Sequence, residues 1–303
     1  MIKKLNIGFL STTYHTSLIL IARKWIEKKL GIKVDWKLYP SGPDEVKALA
    51  KKEIDIAYIG LPPVIIGIGN RIPLKCIAAG HVEGSLLIGE EGFKSFEELG
   101  TLSEVLIQFR GKMIASPPKG SIHDIIIRKF LKEHGIKDVE VNNFPWADNI
   151  LDDFSDRKIT SAIGTPALAV AAKEFSGGKI LIPADKLWEN SPSYGIITRE
   201  DLIENSPELL SRFLFLHKEA TDEIRDNPDK AAGDVSKLIG IVDEDFVKKV
   251  YRVSPKYFIN LTDEFINSTK EFINALVKLE YIKEPVSTDD VFDFRIIEAI
   301  GER

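Results

Sequence analysis

Cysteine is nearly absent: Cys76 stands alone in 303 residues. A single thiol excludes an intramolecular disulfide framework and any zinc site built on several cysteines. Basic surplus is also missing. Lys and Arg number 41 against 46 Asp and Glu, a net charge of -5, which argues against a nucleic-acid partner. No run approaches the roughly 18 consecutive apolar residues of a membrane-spanning helix. Gly (21) and Pro (15) are near average, so the chain is neither collagenous nor low in complexity. Its 44% hydrophobic content is too high for disorder. The length corresponds to about two domains of ordinary size. A secretory leader needs a basic start and then an apolar region of about 7–15 residues. Met1-Ile2-Lys3-Lys4 supplies the start, but the apolar run stops at Leu10 and gives way to Ser11-Thr12-Thr13-Tyr14-His15. That stretch reads as a first strand and a polar loop. The expectation is a cytoplasmic protein or one whose leader has been removed.

What the sequence does contain is an alternation of strand and helix patterns, with no fixed repeat. Strands are predicted over 4–10, 33–38, 54–59 and 74–79. Between them lie helices over 17–29, closed by Gly31, over 44–51, and one opening at Pro62-Pro63. Proline suits the first turn of a helix, where its missing N–H has no partner to lose. This β-α-β-α-β order predicts an open, largely parallel sheet with helices on both faces. A second unit follows: strands over 113–115, 139–144, 159–163 and 179–183, and helices over 122–134, 149–156 and 166–175. A strand over 194–198 leads into helices over 208–225, 228–238, 244–250 and 262–279. No Pro/Ser-rich linker separates the units, so two short crossovers are expected to act as a hinge.

Four loops share one layout, after a predicted strand and before a helix: residues 11–16, Gly60-Leu61-Pro62, Lys119-Gly120-Ser121 and Gly164-Thr165-Pro166. Ligands of open α/β sheets sit outside those strand ends, where helix N-termini offer unpaired N–H groups and partial positive charge. The same residues also serve as ordinary helix caps. Tyr14 and His15 stand in the first loop, as ligand contacts or as plain surface. His123 falls in the first turn after Ser121 and can face the cleft. His81, with Glu83 and Ser85, lies beside a crossover and suits either hinge or site. His134 and His217 read as structural or surface groups. Trp146 either walls the cleft or fills core; Trp25 and Trp36 read as core, and Trp188 is undecided. No HxH, HExxH, GxSxG or phosphate-loop motif occurs, and no paired carboxylates follow strands. Gly67-x-Gly69 lacks the third glycine of a dinucleotide fingerprint. No Arg falls in the four loops, and Lys119 is their one full cation.

Several segments carry a resemblance. Leu5-Asn6-Ile7-Gly8-Phe9 and Tyr39-Pro40-Ser41-Gly42-Pro43, with Ala48-Leu49 after it, resemble the nitrate/sulfonate/taurine-type solute-binding proteins of ABC transporters. The run from Glu53 to Pro63 is similar to that family's G-x-I-D-x-A-x-x-G-x-x-P, with Glu53 following Lys52 where the family often has Gly. Phe109-Arg110-Gly111-Lys112-Met113-Ile114-Ala115 resembles its L-K-G-K-x-I-A, Gly120-Ser121-Ile122-His123 its Gly-Ser helix start, and Asn227 to Ala232 its late helical region. The resemblance covers nearly the whole chain. It implies an α/β, two-lobed type II periplasmic-binding fold with a hinge of two crossovers and a helical C-terminal tail. Lobe 1 would comprise 1–88 and 192–303, and lobe 2 would comprise 89–191.

By position, the resemblance assigns ligand contacts to Thr12, Thr13, Tyr14, His15, Ser41, Gly42, Gly60, Leu61, Gly120, Ser121 and Thr165, with Tyr194 at the return crossover. His123 and Trp146 join them from the reading of the loops. It implies no cofactor, no metal and no catalytic residue. The implied partners are a small-molecule ligand and the permease and ATPase subunits of an ABC importer, with the binding protein monomeric and extracytoplasmic. The implied ligand is a small sulfonate, carboxylate or oxyanion, or a flat heterocycle against Tyr14 and Trp146; similar proteins also bind thiamine-precursor pyrimidines. Two alternatives stay open. One is an enzyme on the same fold, a menaquinone-pathway lyase or a pyrimidine-precursor synthase, with His15, His81 or His123 as base; the lack of a Cys-rich motif weighs against the synthase. The other is a cytoplasmic ligand sensor.

Overall fold

The computed structural model describes residues 4–302; the basic start Met1-Ile2-Lys3 lies outside them. Among the described residues ten strands form two five-stranded sheets. They are β1 (Lys4–Leu10), β2 (Lys33–Tyr39), β3 (Ile56–Ile59), β4 (Leu74–Val82), β5 (Leu86–Glu90), β6 (Met113–Ser116), β7 (Glu140–Asn143), β8 (Ser161–Gly164), β9 (Gly178–Ile182) and β10 (Pro192–Arg199). The first sheet runs β2-β1-β3-β10-β4 and the second β7-β6-β8-β5-β9. In the first, β1 is parallel to β2 and β3, while β10 lies antiparallel between β3 and β4. In the second, β6 is parallel to β7 and β8, while β5 lies antiparallel between β8 and β9. The sheets are therefore mixed, each carrying one reversed strand inside an otherwise parallel set.

Those reversed strands are where the chain changes sheet. β4 ends at Val82 and β5 starts at Leu86 in the other sheet; β9 ends at Ile182 and β10 starts at Pro192 back in the first. Strand β5 was not expected. Its five residues follow Gly84-Ser85 and contain Gly89, and so short an apolar run carries no decisive period. The expected border after residue 88 falls inside β5, which pairs only within the second sheet.

Most helices start where the sequence predicts. Ser121 and Thr165 cap Ile122–Glu133 and Pro166–Phe175 by accepting from the backbone N–H of Asp124 and Leu168, which satisfies donors the helix cannot satisfy itself. The helix predicted over 17–29 is broken into Ser17–Arg23 and Trp25–Leu30 by Lys24, whose φ is +52°. Trp25 and Trp36 are half-buried rather than core. Trp25 lies between the Arg23 guanidinium and the Lys29 ammonium, 4.9 and 4.6 Å from its ring. Trp36 sits on the edge strand β2, edge-on to Phe9. Trp188 is buried against Phe272, with ring centres 4.2 Å apart.

The larger apolar cluster runs through the first sheet and on into the second, where Leu87, Ile114, Ile163 and Leu181 belong to it, and a smaller cluster packs around Leu86, Ile88, Ala115 and Ala162 of the second. The tail is part of the core: Phe265, Phe272 and Leu276 of the helix Asp263–Lys278 are fully buried. Tail residues also bridge β4, at Cys76–Phe292 and His81–Tyr257. Among the described residues no helix is long and apolar enough to cross a membrane.

One core residue is anomalous. Glu45, on the helix Gly42–Ala50, is fully buried, and neither carboxyl oxygen has a hydrogen-bond partner. Burial, with Asp44 nearby, holds its pKa well above the usual carboxylate range. The folded protein thus keeps a proton that the unfolded chain releases above about pH 4.5. The contribution of Glu45 to stability therefore falls as pH rises from there, by about 1.4 kcal/mol per pH unit until Glu45 ionises. Glu45→Gln should therefore melt at a higher temperature than the parent at pH 7, with the gap closing as pH falls to about 4.5. Calorimetry across that range checks both the gap and its closure.

Candidate ligand-binding cleft

The C-terminal ends of β1, β2 and β3 in one sheet, and of β6, β7 and β8 in the other, surround a cavity of about 80 Å³. Each of the six strand ends contributes lining. Thr12, Tyr14 and His15 follow β1; Ser41 and Gly42 follow β2; Gly60 follows β3. Across the cavity, Ser121 and His123 follow β6, Trp146 follows β7 and Thr165 follows β8. These residues come together because a parallel sheet points all its strand ends the same way, and every helix that follows starts there.

Five helices of nine residues or more begin at this cavity: Gly42–Ala50, Leu61–Gly69, Ile122–Glu133, Ala147–Ser155 and Pro166–Phe175. Each brings about half a positive charge at its N-terminus. Among the described residues no charged side chain lines the cavity. Lys119 is exposed and lies over the Tyr281 ring at 5.8 Å. The favourable field for an anion is thus a backbone field.

The hydroxyls divide into two kinds. Ser121 and Thr165 accept from backbone N–H groups at 3.4 and 3.2 Å, which leaves each O–H proton free to donate elsewhere. Ser41 instead donates to Asp44 at 2.6 Å, so it offers the cavity its backbone rather than its hydroxyl. Thr12 Oγ1 is buried and has no partner, and the same holds for His15 Nδ1. Unpaired buried polar groups are costly, and here both belong to residues that line the cavity.

The remaining side chains are set from behind. The Tyr14 hydroxyl shares a hydrogen bond of 3.1 Å with Ser193 Oγ, and burial pushes its pKa up to about 12. His123 Nδ1 is held by Ser85 Oγ at 2.8 Å, from the crossover between β4 and β5. Burial pushes the pKa of His123 down to about 4. Burial, together with His81, holds that of His15 well below the ordinary imidazole value. Both imidazoles are neutral at pH 7.

Four expected contacts do not line this cavity. The Leu61 side chain is fully buried in the core. The Gly120 N–H donates to Asp124 Oδ2 at 2.8 Å, and its φ of +83° makes the turn that presents Ser121. Thr13 is buried in the wall of an adjoining groove. Tyr194 lies beneath the cavity, fully buried, with its ring 4.1 Å from that of His15. His81 also lies beneath, 5.0 Å from Tyr14, with Nε2 donating to the Ser254 carbonyl at 2.9 Å. It is not among the residues that line the cavity.

A residue that sequence reasoning set aside organises this floor. His217, from the long helix Pro207–Asp226, is fully buried. Its Nε2 donates to the Ala79 carbonyl at 3.0 Å, so Nδ1 carries the lone pair and accepts from Thr16 Oγ1 at 3.1 Å. Thr16 Oγ1 must then accept from the Tyr194 hydroxyl at 3.2 Å, and that hydroxyl accepts from the Thr16 N–H at 3.2 Å. A carbonyl at one end fixes every donor along the chain. Ser193, which lines the cavity and holds Tyr14, was not among the expected contacts. Among the described residues no cluster of His, Cys, Asp or Glu could hold a metal ion.

Residues 2–240 match the NMT1-like family. The chain belongs to the NMT1-like family. Several curated chains are similar to it at modest identity. A Brucella abortus chain named as a binding protein is 26% identical over 242 residues, 78% of this chain and 72% of that one. The taurine-binding periplasmic protein of Escherichia coli K12 is 27% identical over 222 residues, 70% of this chain and 64% of that one. Among solved structures, the periplasmic aliphatic sulphonate binding protein from Escherichia coli superposes with a TM-score of 0.80 at 15% identity, covering 97% of this chain and 92% of that one. The periplasmic nitrate-binding protein from Synechocystis gives 0.78 at 16%, covering 99% and 88%. The fold of this NMT1-like chain is therefore the α/β fold of the type II periplasmic binding proteins, and the relatives named here are binding proteins rather than enzymes.

Two outcomes follow for the floor. Tyr194→Phe removes the hydroxyl that pairs with both Thr16 groups, and should lower stability by about 1–3 kcal/mol, read as a shifted denaturant midpoint. Burial also brings His81 and His217 to pKa values of about 4. With His123 they stay neutral in the folded protein while the unfolded chain takes up protons below about pH 6.5. Their contribution to stability should thus fall as pH drops from about 6.5 towards 4, opposite in sign to that of Glu45, and melting curves of Glu45→Gln through that range, with the opposing contribution removed, check it.

Proposed function

We propose that this protein captures a small polar solute, most readily a monoanion, in the cleft between its two sheets and presents it to an ABC importer. The observation that carries the reading is the convergence of six strand ends and five helix N-termini on one cavity that has unpaired hydroxyl and imidazole atoms and, among the described residues, no charged side chain. Backbone N–H groups and hydroxyl donors suit a sulfonate, a carboxylate or another singly charged oxyanion. A dianion would lack a compensating cation there, which ranks it below a monoanion. Trp146, at the rim, suits contact with the apolar part of the solute. The names of the relatives support the same class of cargo.

Two lobes fit this reading, one around each sheet, with the crossovers at residues 83–85 and 183–191 as the hinge. The protein would work outside the cytoplasm as a monomer, with permease and ATPase subunits as partners. The enzyme alternative gains no support from the site. His81 lies outside the cavity, and the neutral His15 and His123 have no charged partner there.

Calorimetric titration with methanesulfonate, taurine, small carboxylates, nitrate and sulfate tests the proposal. A singly charged member of that panel should bind and be recovered intact, with sulfate weaker. Thr12→Val should weaken binding by about 1–3 kcal/mol, roughly 5- to 150-fold, because it removes a donor to the solute. The same substitution should leave the unliganded protein as stable or more so, since the hydroxyl it removes is unpaired. Full affinity in Thr12→Val and in Ser121→Ala would place the site elsewhere, and a chemically altered solute would restore the enzyme.

A further inference from the structure

One carboxylate outside the cavity holds a wall of it in place. Asp124 stands in the first turn of the helix Ile122–Glu133 and is fully buried. It is not among the residues that line the cavity. Its two oxygens accept four hydrogen bonds. Oδ1 takes Arg128 Nε at 2.6 Å and Asn143 Nδ2 at 2.9 Å. Oδ2 takes the Gly120 N–H at 2.8 Å and the Tyr281 hydroxyl at 2.5 Å. A carboxylate offers about four lone-pair sites, so all of them are engaged.

Arg128, Asn143 and Gly120 belong to the second sheet, its helix and the loop after β6. Asn143 ends β7, and its Nδ2 also donates to the Pro117 carbonyl at 2.8 Å. Pro117, Pro118 and Ser121 all line the cavity. Asp124 and Asn143 together therefore set the loop that forms that wall. The remaining donor comes from the other body. Tyr281 follows the tail helix Asp263–Lys278, and it is half-buried and does not line the cavity. Its neighbour Ile282 packs over Gly69, where a Cβ would lie 2.9 Å from it. Gly69 ends the helix that follows β3 of the first sheet. A Cβ on Gly120 would meet Ile66 of that helix at 3.5 Å and the Tyr281 ring at 3.9 Å, so the loop is seated on the first-sheet body at this point.

We propose that Tyr281 is a positioning residue of the binding site: through Asp124 it holds the loop over residues 117–121 against the first-sheet body when the cleft is closed, so that the tail retains the solute without touching it. The inference rests on the cleft being the binding site. An opening of the cleft about its crossovers carries the Tyr281 hydroxyl away from Asp124, because the two stand on different bodies. The bond therefore favours the closed arrangement alone, and a hydrogen bond to a charged acceptor is among the stronger ones. A contribution confined to the closed state lengthens retention by the same factor for any solute that closure encloses.

The test compares Tyr281→Phe and Lys132→Met with the parent, each as the intact protein. Lys132 Nζ donates to the Lys278 carbonyl, so it too joins the helix Ile122–Glu133 to the tail, but near the helix end remote from the loop. Stopped-flow and calorimetric titrations with methanesulfonate, taurine, acetate and nitrate supply rates and affinities. In Tyr281→Phe, dissociation should quicken on the order of tenfold, with association near the parental rate and the same factor for every solute the parent binds. Lys132→Met should bind as the parent does. Both variants should still unfold cooperatively, since the apolar contacts of Trp188 with Phe130 and Phe272 at the same junction are untouched. Parental dissociation rates in Tyr281→Phe would overturn the assignment and leave the cleft as the site. A loss confined to one solute would make Tyr281 a contact of that solute and overturn the positioning role. An equal loss in Lys132→Met would assign the effect to the whole junction of helix and tail, and would overturn it too. Binding of no member of the panel by the parent would remove the cleft reading, and this inference with it.

Discussion

The hydroxyl of Tyr194 joins parts of the chain that are far apart in sequence, and the cleft depends on that junction. Tyr194 stands on β10, the strand that returns the chain to the first sheet. Its ring fills the space over Gly80, where even a methyl group would come within 2.0 Å of it. Its hydroxyl takes both polar groups of Thr16, and His217 holds Thr16 from the other side. The loop over residues 11–16 is thereby fixed at its far end. Tyr14 is fixed next to it by Ser193, for which Gly84 makes room: a Cβ there would lie 1.9 Å from Ser193 Oγ. One glycine on β4 and one on the crossover after it thus admit two side chains from the start of β10.

The chemistry of the cleft follows from burial rather than from charge. His15, His81, His123 and His217 are all buried and all held neutral by desolvation. Tyr14 and Tyr194 are held in their protonated forms for the same reason. Such groups serve as hydrogen-bonding and packing surfaces with fixed protons, because moving a charge onto any of them is unfavourable in that environment. A site of neutral donors and helix ends binds a weakly hydrated anion without the strong desolvation cost of burying a cation beside it.

Much of this was legible in the sequence, because the relevant signals are local. Gly60, Ser121 and Thr165 each precede a helix and follow a strand, and capping chemistry alone marks those junctions. Their convergence follows from parallel strand order. Elsewhere the deciding facts are tertiary. Strand β5 is recognisable only once β8 and β9 flank it. The break at Lys24 needs a left-handed residue that no glycine announces; Lys52, with φ of +58°, is a second case of the same kind. His217 lies on an amphipathic helix, where a histidine pattern says nothing about Thr16, 201 positions away.

The two reversed strands also set an order of events during synthesis. The strands of the second sheet run without interruption from Leu86 to Ile182, so that sheet has all its partners as soon as this segment has emerged. The first sheet cannot close then, because the place between β3 and β4 belongs to β10, which begins at Pro192. Until it arrives, β3 and β4 lack their shared neighbour, and each exposes an unpaired edge of the kind that invites wrong pairing. The half of the molecule that is made first is therefore the half that is finished last.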